Sequence, residues 1–207
     1  SMLGAQKVLG IGSYETVWRM AHKIREAMAH RDRRYKLAGL LVETDESYFG
    51  GKGKDGKRGR GSESKKAVLV SVSTDIAGRP QYVKMKVLES VDANALKAGI
   101  DAGVAEGQMV KTDGNRTYGP ATVEGYIHAH SVQGTPARAS EILPWVHTIV
   151  SNAKRAMFGT HHRKAPAHLQ RFLDEFCYRF NRRWRAPELL DRVLRACALC
   201  PAVISLT

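Results

Sequence analysis

The period of the hydrophobic pattern changes along this chain, and the changes mark its elements. Over residues 14–28 apolar side chains recur at helical spacing, with Val17, Met20, Ala21, Ile24 and Met28 on one stripe. Ser13 precedes the run as a candidate N-cap, with Glu15 and Thr16 in the first turn. A shorter helical run at 5–9 ends at Gly10-Ile11-Gly12. Helix, glycine-bearing turn, helix is the outline of a helix-turn-helix, and equally of two packed helices with no nucleic-acid role. Residues 30–36 read as a basic linker.

Beyond that point the pattern turns to strands. Residues 38–48 are rich in Leu, Val, Thr and Tyr, and 67–74 and 81–88 follow as strands around a turn at 76–80. A helix is predicted over 93–105 with Asp92 as its cap, then a short strand over 108–112 ending at Asp113-Gly114. A further helix is expected from about Thr117, and a strand over 125–131. Three helices close the chain, at 144–158, 166–183 and 188–199. The first carries Trp145, Val146, Ile149, Val150, Ala153, Ala156 and Met157 as its apolar stripe. This order suits an α/β fold, a mixed sheet flanked by helices. It is the order of ribonuclease H-like domains, and other α/β folds share it. The expected division is a helix-turn-helix-like segment at 1–36, the sheet domain at 37–185 and a C-terminal helical extension at 186–207.

Charge narrows the function. Lys and Arg number 33 against 20 Asp and Glu, a formal net charge of +13. That excess points to a polyanionic partner. No apolar stretch approaches the roughly 18 residues that span a bilayer, and no signal segment opens the chain. Nucleic acid is therefore favoured over a membrane, and a cytoplasmic, nucleoid-associated protein is expected. The three cysteines, Cys177, Cys197 and Cys200, read as reduced thiols. Cys177 and Cys197 fall on apolar stripes, and Cys197-x-x-Cys200 lacks the second pair a zinc site needs.

Candidate chemistry begins in the first strand. In Val42-Glu43-Thr44-Asp45-Glu46, alternation sets Glu43 and Asp45 on one face and Thr44 and Glu46 on the other. A carboxylate in mid-strand costs several kcal/mol to bury unpaired, so that face is solvated or meets a cation. Asp113 ends another strand. Carboxylates at neighbouring strand ends can converge on magnesium, although Asp-Gly is also a common turn pair. On the helix from 144, His147, Ser151 and Lys154 share the polar face, because seven residues return to within about 20° of the same direction. His147 there reads as a metal ligand or as a surface histidine.

Four segments, VETDESYFGGK, KTDGNRTYGP, WVHTIVSNAKRAMFGTHH and HLQRFLDEFCYRFNRR, occur in that order. Together they resemble the ISXO-like transposases of bacterial insertion sequences, DDE-type enzymes with a ribonuclease H-like fold. The preceding LGIGSYETVWRMAHKIREAM resembles the helix-turn-helix that comes before that domain. The resemblance implies Asp45 as first metal ligand and Asp113 as second. The third acidic position, seven before the lysine, falls on His147, and Lys154 is the lysine that faces transposon-end DNA. It implies two Mg2+ or Mn2+ ions, no small-molecule cofactor, and a homodimer acting on transposon-end and target DNA. The metals activate water to nick the element's end, then the freed 3′-hydroxyl to attack target DNA. A neutral imidazole in place of the usual Glu suits Mn2+ better than Mg2+ and weakens the second metal. Asn152 is the fallback ligand. Relatives often carry a zinc-binding module ahead of the helix-turn-helix; none stands in these residues, leaving a truncated or a shortened protein.

Glu43 is expected to support the metal ligands or to pair with an Arg, and Glu46 to face away and meet a loop lysine. Phosphate contacts are expected from Lys52, Lys57, Arg58 and Arg60 of the glycine-rich loop, from Lys154 and Arg155, and from Arg179, Arg182 and Arg183. Arg19 and Lys23 on the 14–28 helix are candidates for base reading. The competing readings are a catalytically impaired or repurposed transposase that only binds DNA, another ribonuclease H-like nuclease, and a structural basic domain.

Overall fold

In the computed structural model the residues described are 2–50, 65–120, 122–130, 139–160 and 166–201. Five strands form one mixed sheet in the order β3-β2-β1-β4-β5. They are β1 (Leu41–Phe49), β2 (Lys66–Thr74), β3 (Pro80–Leu88), β4 (Met109–Thr112) and β5 (Ile127–His130). β1 pairs antiparallel with β2 and parallel with β4, which lies parallel to β5. With helices on both faces, this is the ribonuclease H-like α/β arrangement expected from the sequence.

Alternation along β1 and β2 builds two cores. Val68, Val70 and Val72 of β2 and Phe49 of β1 pack with Val146, Ile149, Val150 and Ala153 of α5 (Pro144–Thr160) and Leu173 and Cys177 of α6 (Leu169–Phe180). On the other face Val42 and Leu69 pack with Leu96 and Ile100 of α3 (Ala93–Gly103) and with Tyr118. Thr44 and Ser71 meet there as a buried cross-strand hydroxyl pair, 3.1 Å apart. Asp92 caps α3 through Ala95 N–H, as expected.

Several boundaries differ from expectation. Before α2 (Tyr14–Arg33) comes α1 (Met2–Leu9), and Ser13 does accept from Thr16 N–H. But α2 runs on into the supposed basic linker as far as Arg33. Its buried side is Val17, His22, Arg25, Ala27, Met28 and Ala29, whereas Met20 and Ile24 are exposed. The reason is tertiary. α2 packs on α6 and on α7 (Leu189–Leu199), and ion pairs fix that contact. Arg25 Nε lies 2.7 Å from Glu175, and Arg182 reaches both oxygens of Asp32 at 2.6 and 3.2 Å. No helix forms at Thr117; residues 113–120 are turns held by side chains. The short helix α4 (Ala139–Ile142) precedes α5. Cys177 is buried in the core as expected, but Cys197 is only half-buried.

Candidate active site

The site begins on β1. Glu43, Asp45, Ser47 and Phe49 face α5; Thr44, Glu46 and Tyr48 face the side of α3 and Tyr118. Glu43 is buried, and its Oε2 accepts Trp145 N–H at 2.9 Å and Val146 N–H at 3.1 Å. These are orphan donors of the first turn of α5. Burial raises the Glu43 pKa, while those two N–H groups and Lys111 lower it. Further along the same face, Lys154 Nζ donates to Ser47 Oγ at 3.2 Å and lies 5.1 Å from the centre of the Phe49 ring. Burial, with Lys65 nearby, lowers the Lys154 pKa. Asp45 stands between these two anchor points.

Asp113 reaches Asp45 through the sheet. The parallel pairing of β1 and β4 runs Val42 to Val110 and Glu43 to Lys111. Asp113 follows directly on the end of β4, and its charge is felt at Asp45. A turn then holds Asp113: its Oδ1 accepts Asn115 N–H at 3.0 Å, and Gly114 adopts a φ of 76° that bends the chain at once. Asn115 Oδ1 in turn accepts from Thr117 N–H and Oγ1–H. The turn role and the site role of Asp113 are therefore compatible. Burial, then the Glu46 carboxylate, then the Asp113 carboxylate push the Asp45 pKa up to about 8. Like charges held together out of water favour a proton or a cation.

Glu46 faces away from Asp45's side of the strand, as alternation requires. It accepts the Tyr118 hydroxyl at 2.9 Å. Tyr118 is buried, and burial followed by the nearby Glu46 and Asp45 charges raises its pKa well above the phenol range. Tyr118 thus ties the turn after Asp113 to β1. Sequence reading overlooked this tyrosine; its place five residues after Asp113, in a segment without helical or strand period, was the available signal.

His147 sits in the first turns of α5, half-buried, and its Nε2 is buried without a hydrogen-bond partner. Such an orphaned imidazole nitrogen fits a metal-ligand role, and the hard carboxylates of Asp45 and Asp113 fit Mg2+ or Mn2+. Among the described residues, no group of three or more His, Cys, Asp or Glu is arranged to hold an ion. The Asp113 charge acts on Asp45, but His147 does not join them in a closed set of three. Asn152 is exposed.

The candidate DNA contacts divide. Arg19, Lys23 and Arg155 are exposed, with Arg19 paired to Glu15 at 2.7 Å. Arg179 is exposed beside Glu175. Arg182 and Arg183 have internal roles instead. Arg182 is held by Asp32 and stacks on Tyr178. Arg183 donates to the carbonyls of Pro80, Gln81 and Phe180 and lies over the Phe180 and Trp184 rings. Their donors close the seam between α6 and its neighbours, so they are not open to phosphates. Lys52, Lys57, Arg58 and Arg60 lie outside the described residues.

Residues 36–181 match the model of the ISXO2-like transposase domain, more than two thirds of the chain. The chain belongs to the ISXO2-like transposase family. No curated protein matches it. Among solved structures it is similar to the catalytic core domain of BIV integrase, at 12% identity over 69% of this chain and 82% of that one, TM-score 0.43. It is similar to the catalytic domain of Mos1 mariner transposase, at 16% identity over 86% and 91%, TM-score 0.41. A third is the Mos1 mariner paired end complex with Mn, at 14% identity over 90% of this chain and 64% of that one, TM-score 0.44. The chain thus spans just under two thirds of the length of the Mos1 chain in that complex. Membership of the family rests on the domain match, and the fold on the strand order. Among the described residues no helix is long and apolar enough to cross a membrane.

Proposed function

We propose that this chain is a metal-dependent DNA transposase that cleaves the ends of an insertion sequence and joins them to target DNA. The observation that carries the reading is the Asp45–Asp113 pair. In a chain of the transposase family, Asp45 lies on β1 and Asp113 follows its parallel neighbour β4, and burial, then the Glu46 charge, then the Asp113 charge lift the Asp45 pKa to about 8. A divalent cation offsets those charges as a proton would.

In this reading Asp45 and Asp113 hold Mg2+ or Mn2+, with His147 as the third ligand through Nε2. Bound there, such ions supply an activated water or 3′-hydroxyl and neutralise the leaving oxygen. In the first step the water oxygen bonds to phosphorus and the P–O3′ bond breaks, leaving a 3′-hydroxyl and a 5′-phosphate. In the second, that 3′-hydroxyl attacks a target phosphodiester and the target's 3′ oxygen leaves. Lys154 holds its ammonium on the site's own face of β1, where it meets a phosphate of the transposon end. Exposed Arg155, Arg179, Arg19 and Lys23 add phosphate or base contacts, and the protein works as a homodimer at the nucleoid. In the same reading Lys52, Lys57, Arg58 and Arg60 add phosphate contacts.

The test is a strand-cleavage and strand-transfer assay on duplexes ending in the element's terminal repeats, with Mg2+ or Mn2+. Wild-type protein should cut and join, and Asp45→Asn and Asp113→Asn should do neither while binding the same DNA. Tight end binding with no cleavage by the wild type in either metal would favour a repurposed transposase that only binds DNA.

A further inference from the structure

The reaction as proposed leaves one buried carboxylate unused. Glu43 is 3% exposed, lies two residues before Asp45 on the same face of β1, and meets no lysine or arginine side chain directly among the described residues. Its Oε2 takes two hydrogen bonds, both from the first turn of α5, at 2.9 Å to Trp145 N and 3.1 Å to Val146 N. α5 has no capping side chain of its own at this end: Leu143 and Pro144 precede the two N–H groups. The cap comes instead from a strand 102 positions earlier in the chain. A helix that needed only an N-cap would take one from a neighbouring Ser, Thr, Asp or Asn, at no risk to the sheet. A glutamate buried in the central strand is a costly way to cap a helix unless the position of that helix matters.

The second anchor shows what is being positioned. Lys154 donates to Ser47 on the same face of β1. From Val146 to Lys154 the helix rises about 12 Å. From Glu43 to Ser47 the strand rises about 13 Å. The two spans match, so α5 lies along β1 held at both ends. Asp45 is on the strand between the anchors, and His147, with its partnerless buried Nε2, is on the helix immediately after the capped residues.

We infer that Glu43 is a positioning residue: by gripping the Trp145 and Val146 amides it sets the height of α5 against β1, and so sets the His147 imidazole relative to Asp45. This rests on the metal-site reading of Asp45, Asp113 and His147. The carboxylate acts through its acceptor oxygen and touches neither metal nor DNA. It docks the third ligand's helix on the first ligand's strand, as partners beyond the ligands themselves commonly do at metal sites.

The experiment uses the full chain and two readouts, amide hydrogen exchange at Trp145 and Val146 without metal and Mn2+ binding followed by electron paramagnetic resonance. Glu43→Ala removes both acceptors. It should lower protection of those amides at least tenfold and weaken Mn2+ binding about tenfold, leaving affinity for duplex DNA unchanged. Glu43→Gln keeps an acceptor oxygen of the same reach and should hold Mn2+ within about threefold of wild type; it carries the test if the alanine variant does not fold. Lost protection with unchanged Mn2+ affinity would make Glu43 a structural cap only and overturn the inference. So would a glutamine variant with intact amide protection and Mn2+ binding as weak as in the alanine variant. If the wild-type chain binds no Mn2+ at all, the metal-site reading itself fails and this role goes with it.

Discussion

The edge strand β3 and the central strand β1 both meet helices through polar side chains, in opposite ways. At β3 the bare backbone edge is covered by neutral amides from the α6 region. Asn181 accepts Val83 N–H at 2.8 Å and donates to Val83 C=O at 3.0 Å. Gln170 accepts Val87 N–H at 2.7 Å and donates to Met85 C=O at 2.9 Å. Two side chains thus imitate a neighbouring strand, and the groups that meet the β3 backbone are uncharged amides. An edge closed in this way offers no template to another chain. At β1 the backbone pairs with β2 along its length and with β4 at Val42 and Glu43, and the polarity sits in Glu43, Asp45 and Glu46, packed within four residues. Glu43 and Glu46 find donors, in α5 and in Tyr118, whereas Asp45 accepts the Glu46 N–H at 2.8 Å, and burial with the Glu46 and Asp113 charges pushes its pKa up to about 8. Polar groups at β3 finish the fold. Those at β1 leave it with a buried carboxylate among like charges, which the proposed cation would neutralise.

Substitutions at the two strands should separate activity from stability, and the largest effect belongs to β1. Asp113→Asn removes a proposed ligand while keeping its acceptor for Asn115 N–H. Cleavage of terminal-repeat DNA should fall by about 10³-fold or more, equivalent to about 4 kcal/mol of barrier. The melting temperature without metal should hold or rise. At β3 the pattern inverts. Asn181→Ala leaves the Val83 N–H and C=O without partners at a partly buried edge, which costs about 2–3 kcal/mol. A thermal melt should show a fall of roughly 5–10 °C, with Mn2+ affinity unchanged in protein that remains folded. A variant of Asn181 that abolished metal binding while still folded would break the contrast.

The sequence makes the β1 side legible and leaves β3 almost silent. Asp45 and Asp113 stand out because a carboxylate in an apolar strand, or at a strand's end, violates the local pattern, and the parallel pairing of β1 with β4 then makes their strands neighbours. Gln170 and Asn181 violate nothing; an amide on a helix is ordinary until the edge of β3 appears beside it. The same limit explains Arg182 and Arg183. As residues in a run they look like phosphate contacts, and only the placement of Asp32, of the Gln81 and Phe180 carbonyls and of the aromatic rings turns them inward. Met20 and Ile24 fit a helical stripe and are nonetheless exposed, because buried ion pairs of Arg25 and Asp32 outweigh the apolar period in setting which side of α2 faces α6. Charge partners that lie 150 positions apart leave no local mark.

The buried carboxylate at β1 has a pH signature. The folded-state pKa of Asp45, about 8, exceeds its ordinary value of 3.8. Between those values the folded protein holds a proton that the unfolded chain releases, so the stabilising contribution is complete below about pH 4. It is lost progressively as pH rises to about 8. Asp45→Asn removes this dependence. In EDTA at pH 8 the variant should be more stable than wild type by about 1–3 kcal/mol, allowing for relaxation around the site. The difference should vanish near pH 4, and adding Mn2+ should stabilise only the wild type. Melts at the two pH values that show equal wild-type and variant stability in EDTA at pH 8 would remove the claim that burial and neighbouring charges disfavour ionised Asp45.

The smallest effect tests whether the two glutamates of β1 act on separate elements. Tyr118 donates to Glu46 and belongs to the turn that follows Asp113, whereas Glu43 grips α5 on the opposite face. Tyr118→Phe keeps the ring in the core and removes one hydrogen bond to a half-buried carboxylate, a loss of about 1 kcal/mol. In a chain of this size that is about 2–4 °C in melting temperature. The site consequence should be local: the Asp113 turn loosens against β1, and hydrogen exchange quickens at the Asn115 and Tyr118 amides. The Trp145 and Val146 amides should stay as protected as in wild type, because their acceptor lies across the sheet. The converse holds for Glu43→Ala, which should free α5 and leave the turn alone. If Tyr118→Phe exposed the α5 amides as well, β1 would be transmitting strain between its faces, and the two carboxylates would have to be treated as one coupled support for the aspartate between them.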